Sequence, residues 1–277
     1  MSIVVVSIGG DTMRFAEGDS SAGTLSNKKS QKTPADPAKF IEKLSSYVSD
    51  CKQPPQKLIV GVRGRLDEEK TKITNDTILV KWVDFELKSE LLKVLDIPIY
   101  FENDTALAGL GEAVYGSGKG FDYIVYHSIG AGVGGVKIEE GEIDHGTLGF
   151  EPGHQILDID RTVLGADVTP SLENLISARA ISDRYGSKPE DIPQNDVLWS
   201  QLAHYLGQGL RNSVLYWSPE AIILGGQMIL GNPCIELEDI RKETVAALDN
   251  FYDCPFITKA TLGDDSALYG AMALIKD

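Results

Sequence analysis

Short apolar runs alternate with amphipathic segments along the chain, and this alternation predicts an α/β fold. The runs are rich in Val and Ile and end in glycines or polar clusters, as buried strands do. Strands are expected at 3–7, 13–16, 58–62, 97–101, 123–128, 136–138 and 221–224. Helices are expected at 37–48, 86–95, 105–115, 172–185, 197–216, 236–250 and 266–276. The polar stretch 19–37 is expected to be a loop, with an edge strand as an open alternative.

The order strand, glycine turn, strand occurs twice, at 3–16 and again at 123–138. Two copies of one α/β plan are therefore expected. The first lobe is expected at 1–116 and the second at 117–264. The last helix, 265–277, carries Ala and Gly on one side and is expected to pack back on the first lobe, because small residues permit close helix packing.

Composition narrows the classes of function. With 42% hydrophobic and 24% charged residues among 277, the chain is long and apolar enough to bury a sizeable core. Its 26 Lys and Arg stand against 41 Asp and Glu, and the net charge of −15 argues against a nucleic-acid partner. An anionic substrate is not excluded, because a local group of backbone amides or Mg²⁺ can hold phosphate.

The cysteines, the apolar runs and the N-terminal residues indicate the subcellular location. Cys51, Cys234 and Cys254 form no CxxC pair, which indicates free thiols in a reducing compartment. No apolar run approaches the ~20 residues that a membrane span needs, and the start lacks a basic signal-peptide region. We therefore expect a cytoplasmic protein without a membrane partner.

The segment Gly130–Gly135 satisfies the spacing GxGxxG. A dinucleotide site needs a helix after these glycines, but 136–138 alternates like a strand, so a Rossmann site is rejected. Two interpretations remain equally open for this hairpin. Its backbone amides approach phosphate where no Cβ intervenes, or it is an ordinary glycine-rich turn.

A second candidate, Glu102–Asp104, stands at the end of an expected strand. A carboxylate there is well placed as a general base, because ligands of open α/β sheets bind beyond the carboxyl ends of strands. A routine helix N-cap is the simpler interpretation of the same residues and is favoured on this segment alone.

Two more segments contain candidate binding residues, but neither segment indicates a function by itself. Glu151 and His154, together with Glu173, suit a metal ion or sugar hydroxyls, although a lone His is more often a satisfied polar residue. The strand that ends in Gly225 and Gly226 either admits a flat ligand or allows close packing.

Taken together, the order of these segments resembles the ROK family of sugar kinases and sugar-responsive repressors, within the hexokinase–actin ATPase superfamily. The resemblance runs through nearly the whole chain, and its segments are 7–12, 102–106 with 111–112, 129–135, 151–154, 172–173 with 179–181, 219–226 and 265–271. It implies two RNase H-like lobes with the active site in the cleft between them. It also implies a glucokinase-like, ATP-dependent sugar kinase.

The resemblance assigns roles by position. It implies that Asp104 is the catalytic base and that Mg²⁺ neutralises the phosphate oxygens. The sugar-binding residues would be Asn103, Asp104, Glu151, His154 and Glu173. The ATP-binding residues would be Gly9, Gly10, Asp11, Thr12, Gly130, Ala131, Gly132 and Gly134, with the adenine near Gly225 and Gly226. A homodimer is usual for such proteins.

This chain departs from the family pattern on the phosphate side. Ser7 replaces the usual Asp of the first phosphate loop, Asp11-Thr12 replaces a Thr-Lys pair, and Ala131 replaces a Thr of the second. The cysteine cluster that usually follows the sugar motif is absent, so no structural zinc is expected.

These departures keep other functions open. A sugar-binding or regulatory protein with weak or no kinase activity is the main alternative, and polyphosphate as phosphate donor is another. Arg63 and Arg65 are expected to be solvated rather than to face a ligand. A repressor is less favoured, because no helix-turn-helix segment precedes the first strand.

Overall fold

Two five-stranded sheets with the same strand plan form the protein, each with its own helices. The computed structural model describes residues 2–144, 146 and 149–275. The chain divides into two compact units, Met1–Val114 with Asp264–Asp277 and Tyr115–Gly263.

The first unit holds a sheet whose strands are ordered β3-β2-β1-β4-β7. β1, β4 and β7 are parallel neighbours, whereas β2 and β3 are antiparallel. β5 and β6 pair with each other in a separate two-stranded sheet. The strands are β1 Ser2–Ile8, β2 Thr12–Asp19, β3 Thr24–Lys32, β4 Lys57–Val62, β5 Arg65–Leu66, β6 Ile73–Asn75 and β7 Ile99–Asn103; the helices are α1 Pro37–Ser49, α2 Leu87–Leu92 and α3 Asp104–Val114.

Local sequence explains these elements. The β-branched run Val4–Val6 is buried on both faces, as expected of a central strand. α1 begins where the Asp36 carboxylate accepts a hydrogen bond from the N–H of Ala38, with Pro37 as the first helical residue. Its buried face packs on the sheet through aromatic rings, including the pair Phe15 and Tyr47, whose centroids are 5.1 Å apart.

The second unit repeats the plan with strand order β10-β9-β8-β11-β12. β8, β11 and β12 are parallel, and β9 and β10 are antiparallel. The repeat predicted from the two glycine turns is thus confirmed. The strands are β8 Tyr123–Ile129, β9 Val133–Glu139, β10 Glu142–Ile143, β11 Ala221–Gly225 and β12 Phe256–Lys259; the helices are α4 Leu172–Ile176, α5 Ala178–Tyr185, α6 Val197–Trp217, α7 Gln227–Leu230 and α8 Leu237–Leu248.

One expected helix is in fact two. The prediction of a continuous helix over 172–185 is wrong, because Ser177 has extended backbone angles and separates α4 from α5. The Ser177 hydroxyl accepts a hydrogen bond from the N–H of Ala180 at 3.2 Å and caps α5. The break ends α4 at Ile176, three residues after Glu173.

A polar side chain lies within the core of the second unit. His127 of β8 is fully buried, and its Nε2 lies 3.0 Å from the hydroxyl of Ser213 on α6. Its Nδ1 finds no hydrogen-bond partner in the part of the chain that the structure describes. Burial lowers the pKa of His127 to about 4, so the imidazole is neutral in the folded protein at neutral pH.

The last helix, α9 Ser266–Ala273, packs on α3 of the first unit. A Cβ on Gly270 would overlap the carbonyl oxygen of Leu107, and one on Gly111 would overlap that of Ser266. The hydroxyl of Ser266 also donates a hydrogen bond to the buried carboxylate of Glu112 at 2.9 Å. The small residues therefore allow the two backbones to touch.

Other expectations hold or fail at single elements. The open alternative of an edge strand in 19–37 is correct, since β3 borders the first sheet. The sequence pattern does not predict strand β12. Within the described residues, no helix combines the length and apolar character needed to span a membrane.

Candidate active site

Three adjacent strand ends of the first unit bring together a glycine turn, a cation and a carboxylate. β1 and β4 are aligned so that Ile8 pairs with Val62, and β4 and β7 so that Val62 pairs with Asn103. The residues that follow these ends are Gly9, Arg63 and Asp104. This edge is where open α/β sheets bind ligands.

Asp104 begins α3 and is half-buried at this edge. Its Oδ1 accepts a hydrogen bond from the N–H of Thr105 at 2.8 Å. Burial raises the pKa of Asp104 to about 6, although the charge of Arg63 and the Thr105 hydrogen bond act in the opposite direction. A carboxylate with such a pKa is ionised at neutral pH and is a stronger base than an ordinary Asp.

Asn103 is the residue that caps the helix. Its Oδ1 accepts hydrogen bonds from the N–H groups of Thr105 at 2.9 Å and Ala106 at 3.0 Å, and its Nδ2 donates to the carbonyl of Gly64 at 3.2 Å. The N-cap interpretation therefore applies to Asn103. Asp104 is left with a second carboxylate oxygen for chemistry.

Glu102 belongs to the same polar segment, but no role is predicted for it from the sequence. Its side chain is buried, forms an ion pair with the ammonium of Lys70, and accepts a hydrogen bond from the N–H of Asn103 at 2.8 Å. Glu102 thus holds the backbone just before Asp104. A charged residue at the last but one position of a buried strand is the signal that could have indicated it.

Arg65 is exposed, as expected, whereas Arg63 is only partly solvated. Its Nε donates a hydrogen bond to Oδ2 of Asp76 at 2.7 Å, and 27% of its side chain is exposed. A Cβ on Gly10 would lie 3.0 Å from Nη1 of Arg63. The guanidinium therefore lies against the first glycine turn. The orientation of the Arg63 guanidinium is set by its hydrogen bond to Asp76, which stands thirteen positions later in the chain.

The first glycine turn, 9–12, connects β1 to β2. The N–H of Gly9 donates to the carbonyl of Thr12 at 3.0 Å, and the hydroxyl of Thr33 donates to the carbonyl of Gly9 at 2.8 Å. The N–H groups of Gly10 and Asp11 donate to none of the described residues. The turn thus presents two free donors at the strand edge.

The second glycine turn connects β8 to β9 in the second unit. Gly130, Ala131 and Gly132 form the turn, whereas Gly134 lies in β9 and pairs with Ser128. A strand follows the glycines, as the sequence predicts, in place of the helix that a dinucleotide site needs. The carbonyl of Gly130 accepts a hydrogen bond from the N–H of Ala178, which fixes the turn against α5.

Glu173 holds this second turn from α4. Its Oε2 accepts a hydrogen bond from the N–H of Val133 at 2.7 Å, and a Cβ on Gly132 would lie 2.6 Å from the same oxygen. Gly153 packs so closely on Val133 that a Cβ there would overlap the Val133 carbonyl oxygen. The sugar motif, the second turn and Glu173 therefore form one cluster.

The remaining motif residues flank that cluster or a neighbouring strand end. Glu151 and His154 are exposed on either side of the buried Pro152 and Gly153. Gly226 has a φ of 85° and is the N-cap residue of α7, which follows β11, the parallel neighbour of β8. Asn103 and Asp104 belong to the first unit, whereas Glu151, His154 and Glu173 belong to the second.

A sequence model of the ROK family matches residues 3–277. This chain belongs to the ROK family. The prediction from the motif order is therefore confirmed, and so is the α/β fold of the actin/hexokinase type.

Two solved ROK structures show the same fold. The ROK hexokinase of Thermus thermophilus superposes with a TM-score of 0.82, at 23% identity over 99% of this chain and 97% of that one. A ROK glucokinase from Streptomyces griseus, in complex with glucose and AMPPNP, gives 0.81 at 22% identity over 99% of each chain.

Sequence relatives include both branches of the family. A fructokinase of Lactococcus lactis subsp. cremoris is 34% identical over 181 residues, which are 64% of this chain and 61% of the fructokinase. The match thus spans about three fifths of that relative. A xylose repressor of Bacillus subtilis (strain 168) is 25% identical over 86% of this chain and 66% of the repressor. The named kinases support the sugar-kinase prediction.

The loop after the sugar motif differs from the ROK pattern in having no cysteines. The carboxylate of Asp158 instead accepts hydrogen bonds from the N–H groups of Thr162, Val163 and Leu164. Burial alone would raise the pKa of Asp158, but these hydrogen bonds hold it below its usual value. Arg161 donates to the carbonyls of Gly165, Ala166 and Val168. Side-chain hydrogen bonds thus order this loop.

Proposed function

We propose that this chain is an ATP-dependent sugar kinase that transfers the γ-phosphoryl group to a hydroxyl of a hexose or N-acetylhexosamine. The observation that carries the proposal is the half-buried Asp104, with a pKa of about 6, at a strand edge shared with a glycine turn. The kinases among the relatives and the AMPPNP in the Streptomyces griseus structure support ATP as the donor.

In the proposed reaction, Asp104 is the general base. The sugar hydroxyl oxygen attacks the γ-phosphorus, a new O–P bond forms, and the P–O bond to ADP breaks with its electron pair leaving on ADP. The proton of the hydroxyl passes to the free carboxylate oxygen of Asp104. Its raised pKa suits this role, because the proton is taken by a base that is still ionised at neutral pH.

The glycine turns would bind the phosphates through backbone N–H groups. Gly10 and Asp11 in the first turn, and Ala131 and Gly132 in the second, have N–H groups that donate to none of the described residues. Such donors suit phosphate oxygens, and the glycines remove side chains that would keep phosphate away. Gly225 and Gly226 would lie near the adenine.

The sugar would be bound by polar side chains. Asn103 keeps one N–H beyond the one that it donates to Gly64, and Asp104 has a free oxygen. Glu151 and His154 are exposed, and Glu173 has an oxygen besides the one bound to Val133. Hydroxyl groups need such a mixture of donors and acceptors.

Mg²⁺ would come with ATP. No group of three or more His, Cys, Asp or Glu side chains suited to a metal occurs in residues 2–144, 146 and 149–275. The first turn offers Asp11 as a carboxylate with an exposed side chain. Asp11 fits a Mg²⁺ ion held mainly by substrate phosphates and water. The bound ion would neutralise phosphate charge.

The decisive experiment measures ADP release from Mg-ATP with a panel of hexoses and N-acetylhexosamines, fructose and glucose first. Wild-type protein is compared with Asp104→Asn. We expect turnover with at least one sugar and less than a tenth of that rate in the variant. A variant that keeps a tenth or more of the wild-type rate would remove Asp104 from the reaction.

Size-exclusion chromatography of the same sample tests the expected homodimer.

A sugar-binding regulator with weak or no kinase activity is the second candidate. Ser7 and Ala131 in the phosphate loops favour it, and so does the xylose repressor among the relatives. Calorimetry distinguishes the two functions. A kinase binds Mg-ATP, whereas a regulator of this kind binds sugar with no detectable Mg-ATP binding or turnover.

A further inference from the structure

Arg63 lies between the first glycine turn and Asp104. Its own N–H donates to the carbonyl of Ile8 at 3.1 Å, which ties the residue to the end of β1. Its Nη1 would lie 3.0 Å from a Cβ placed on Gly10, and its charge acts on Asp104. The fold therefore places a permanent positive charge between the groups proposed to hold phosphate and to accept the proton.

Asp76 fixes the direction of this guanidinium. Only 2% of the Asp76 side chain is exposed, and its Oδ1 accepts hydrogen bonds from the N–H groups of Ile78 and Leu79. Its Oδ2 accepts the Nε–H of Arg63. A carboxylate held in this way orients one edge of the guanidinium without consuming its other donors.

The two Nη groups of Arg63 make no hydrogen bond within the part of the chain that the structure describes. Four N–H donors are thus available on a half-buried cation beside a glycine turn. A planar guanidinium with two free amino groups matches two oxygens of one phosphoryl group.

We propose that Arg63 is a catalytic residue whose Nη groups bind the phosphoryl group during its transfer. The inference rests on the proposed kinase function. Negative charge is spread over the three equatorial oxygens of that group in the transition state, and a fixed cation stabilises it there. Ser7, Asp11 and Thr12 bring no positive charge to the proposed phosphate site. Arg63 would supply that charge.

The test compares Arg63→Gln and Arg63→Lys with wild type, and Lys39→Gln on α1 is the control for loss of one exposed charge. We expect kcat to fall about 10²- to 10³-fold in Arg63→Gln, as for other preorganised donors. Arg63→Lys should recover part of the rate, because it keeps the positive charge. The recovery should be incomplete, because Lys lacks the two amino groups of the planar guanidinium. Equal melting temperatures show that the variants are folded.

Measurement at pH 9 separates this role from an effect through Asp104. Arg63 lowers the pKa of Asp104, so its loss raises that pKa, but Asp104 is ionised at pH 9 in every variant. A defect that persists at pH 9 supports the phosphoryl contact, and one that disappears there overturns it. A kcat of Arg63→Gln within threefold of wild type also overturns the inference while leaving the kinase function intact. A wild-type protein that neither binds nor hydrolyses Mg-ATP overturns both.

Discussion

The carboxylate of Glu173 accepts a hydrogen bond from the backbone N–H of Val133 at 2.7 Å, so α4 is tied to the second glycine turn. The family resemblance assigns Glu173 to the sugar. The structure shows that one of its oxygens already serves the backbone of the turn. A single side chain therefore links the segment proposed to bind phosphate with the segment proposed to bind sugar.

Replacing Glu173 should loosen the second turn. We expect Glu173→Ala to lower the free energy of unfolding by about 1–3 kcal/mol, because it removes a hydrogen bond to a charged acceptor. Glu173→Gln keeps an acceptor and should cost less. Urea unfolding of both variants measures this difference. Equal losses in the two variants would mean that the charge matters and the hydrogen bond does not.

The rate of the kinase should depend on the protonation of Asp104. The pKa of Asp104 is about 6, and the base must be ionised to accept a proton. We therefore expect kcat to be constant above about pH 7 and to fall about tenfold per pH unit well below 6. Steady-state rates between pH 5 and 9 measure this limb. A rate that stays constant down to pH 5 would contradict the base role.

The stability of the protein should fall in acid because of His127. Its pKa is about 4 when folded and about 6.5 when unfolded, so the unfolded chain binds the extra proton between these values. The contribution is complete above pH 6.5 and is lost as the pH falls towards 4, at up to about 1.4 kcal/mol per unit.

His127→Gln isolates this effect, since Gln can still bond to the Ser213 hydroxyl and does not titrate. Burial raises the pKa of Asp104, which gives the opposite slope between about pH 4 and 6, but Asp104 is common to both proteins. The difference in unfolding free energy between wild type and variant should therefore change with pH below 6.5. A difference that is constant with pH would contradict burial of a neutral His127.

The loop after the sugar motif should depend on Asp158 and not on a metal. We expect Asp158→Ala to speed tryptic cleavage at Arg161, because three backbone N–H groups lose their acceptor. Asp160→Ala, at an exposed neighbouring carboxylate, is the matched control. A chelator should leave the wild-type digestion unchanged. Protection that is lost on chelation would indicate a metal in this loop.

Burial and periodicity explain which elements the sequence predicts well. Strands 3–7, 58–62 and 221–224 are apolar on both faces, and such runs have few other structures available. Strand β12 escapes prediction because it is four residues long and Ile257 is its one fully buried residue. The break at Ser177 depends on a side-chain hydrogen bond that apolar spacing does not encode.

In the candidate site, too, local sequence features can be predicted and contacts between distant residues cannot. The polar segment 102–104 is evident from the sequence because it stands at the end of an apolar run, whereas the base role of Asp104 is implied by the family resemblance. The orientation of the Arg63 guanidinium depends on its hydrogen bond to Asp76. The second glycine turn is held by a hydrogen bond from the N–H of Val133 to Glu173, forty positions later. Neither contact is local in sequence, so residue type and spacing do not reveal it.

The contact between α3 and α9 should tolerate no side chain at its glycines. A Cβ on Gly270 or Gly111 would overlap a carbonyl oxygen of the facing helix, and backbone cannot yield as a flexible side chain can. We expect Gly270→Ala and Gly111→Ala each to destabilise the protein by about 1–3 kcal/mol, the usual range for overpacking. Gly165→Ala is the matched control, because a Cβ there meets no atom within 4 Å. Thermal unfolding of the three variants tests this. Unchanged melting of Gly270→Ala would mean that the helices can separate without cost, and the close approach would then contribute nothing to the attachment of α9.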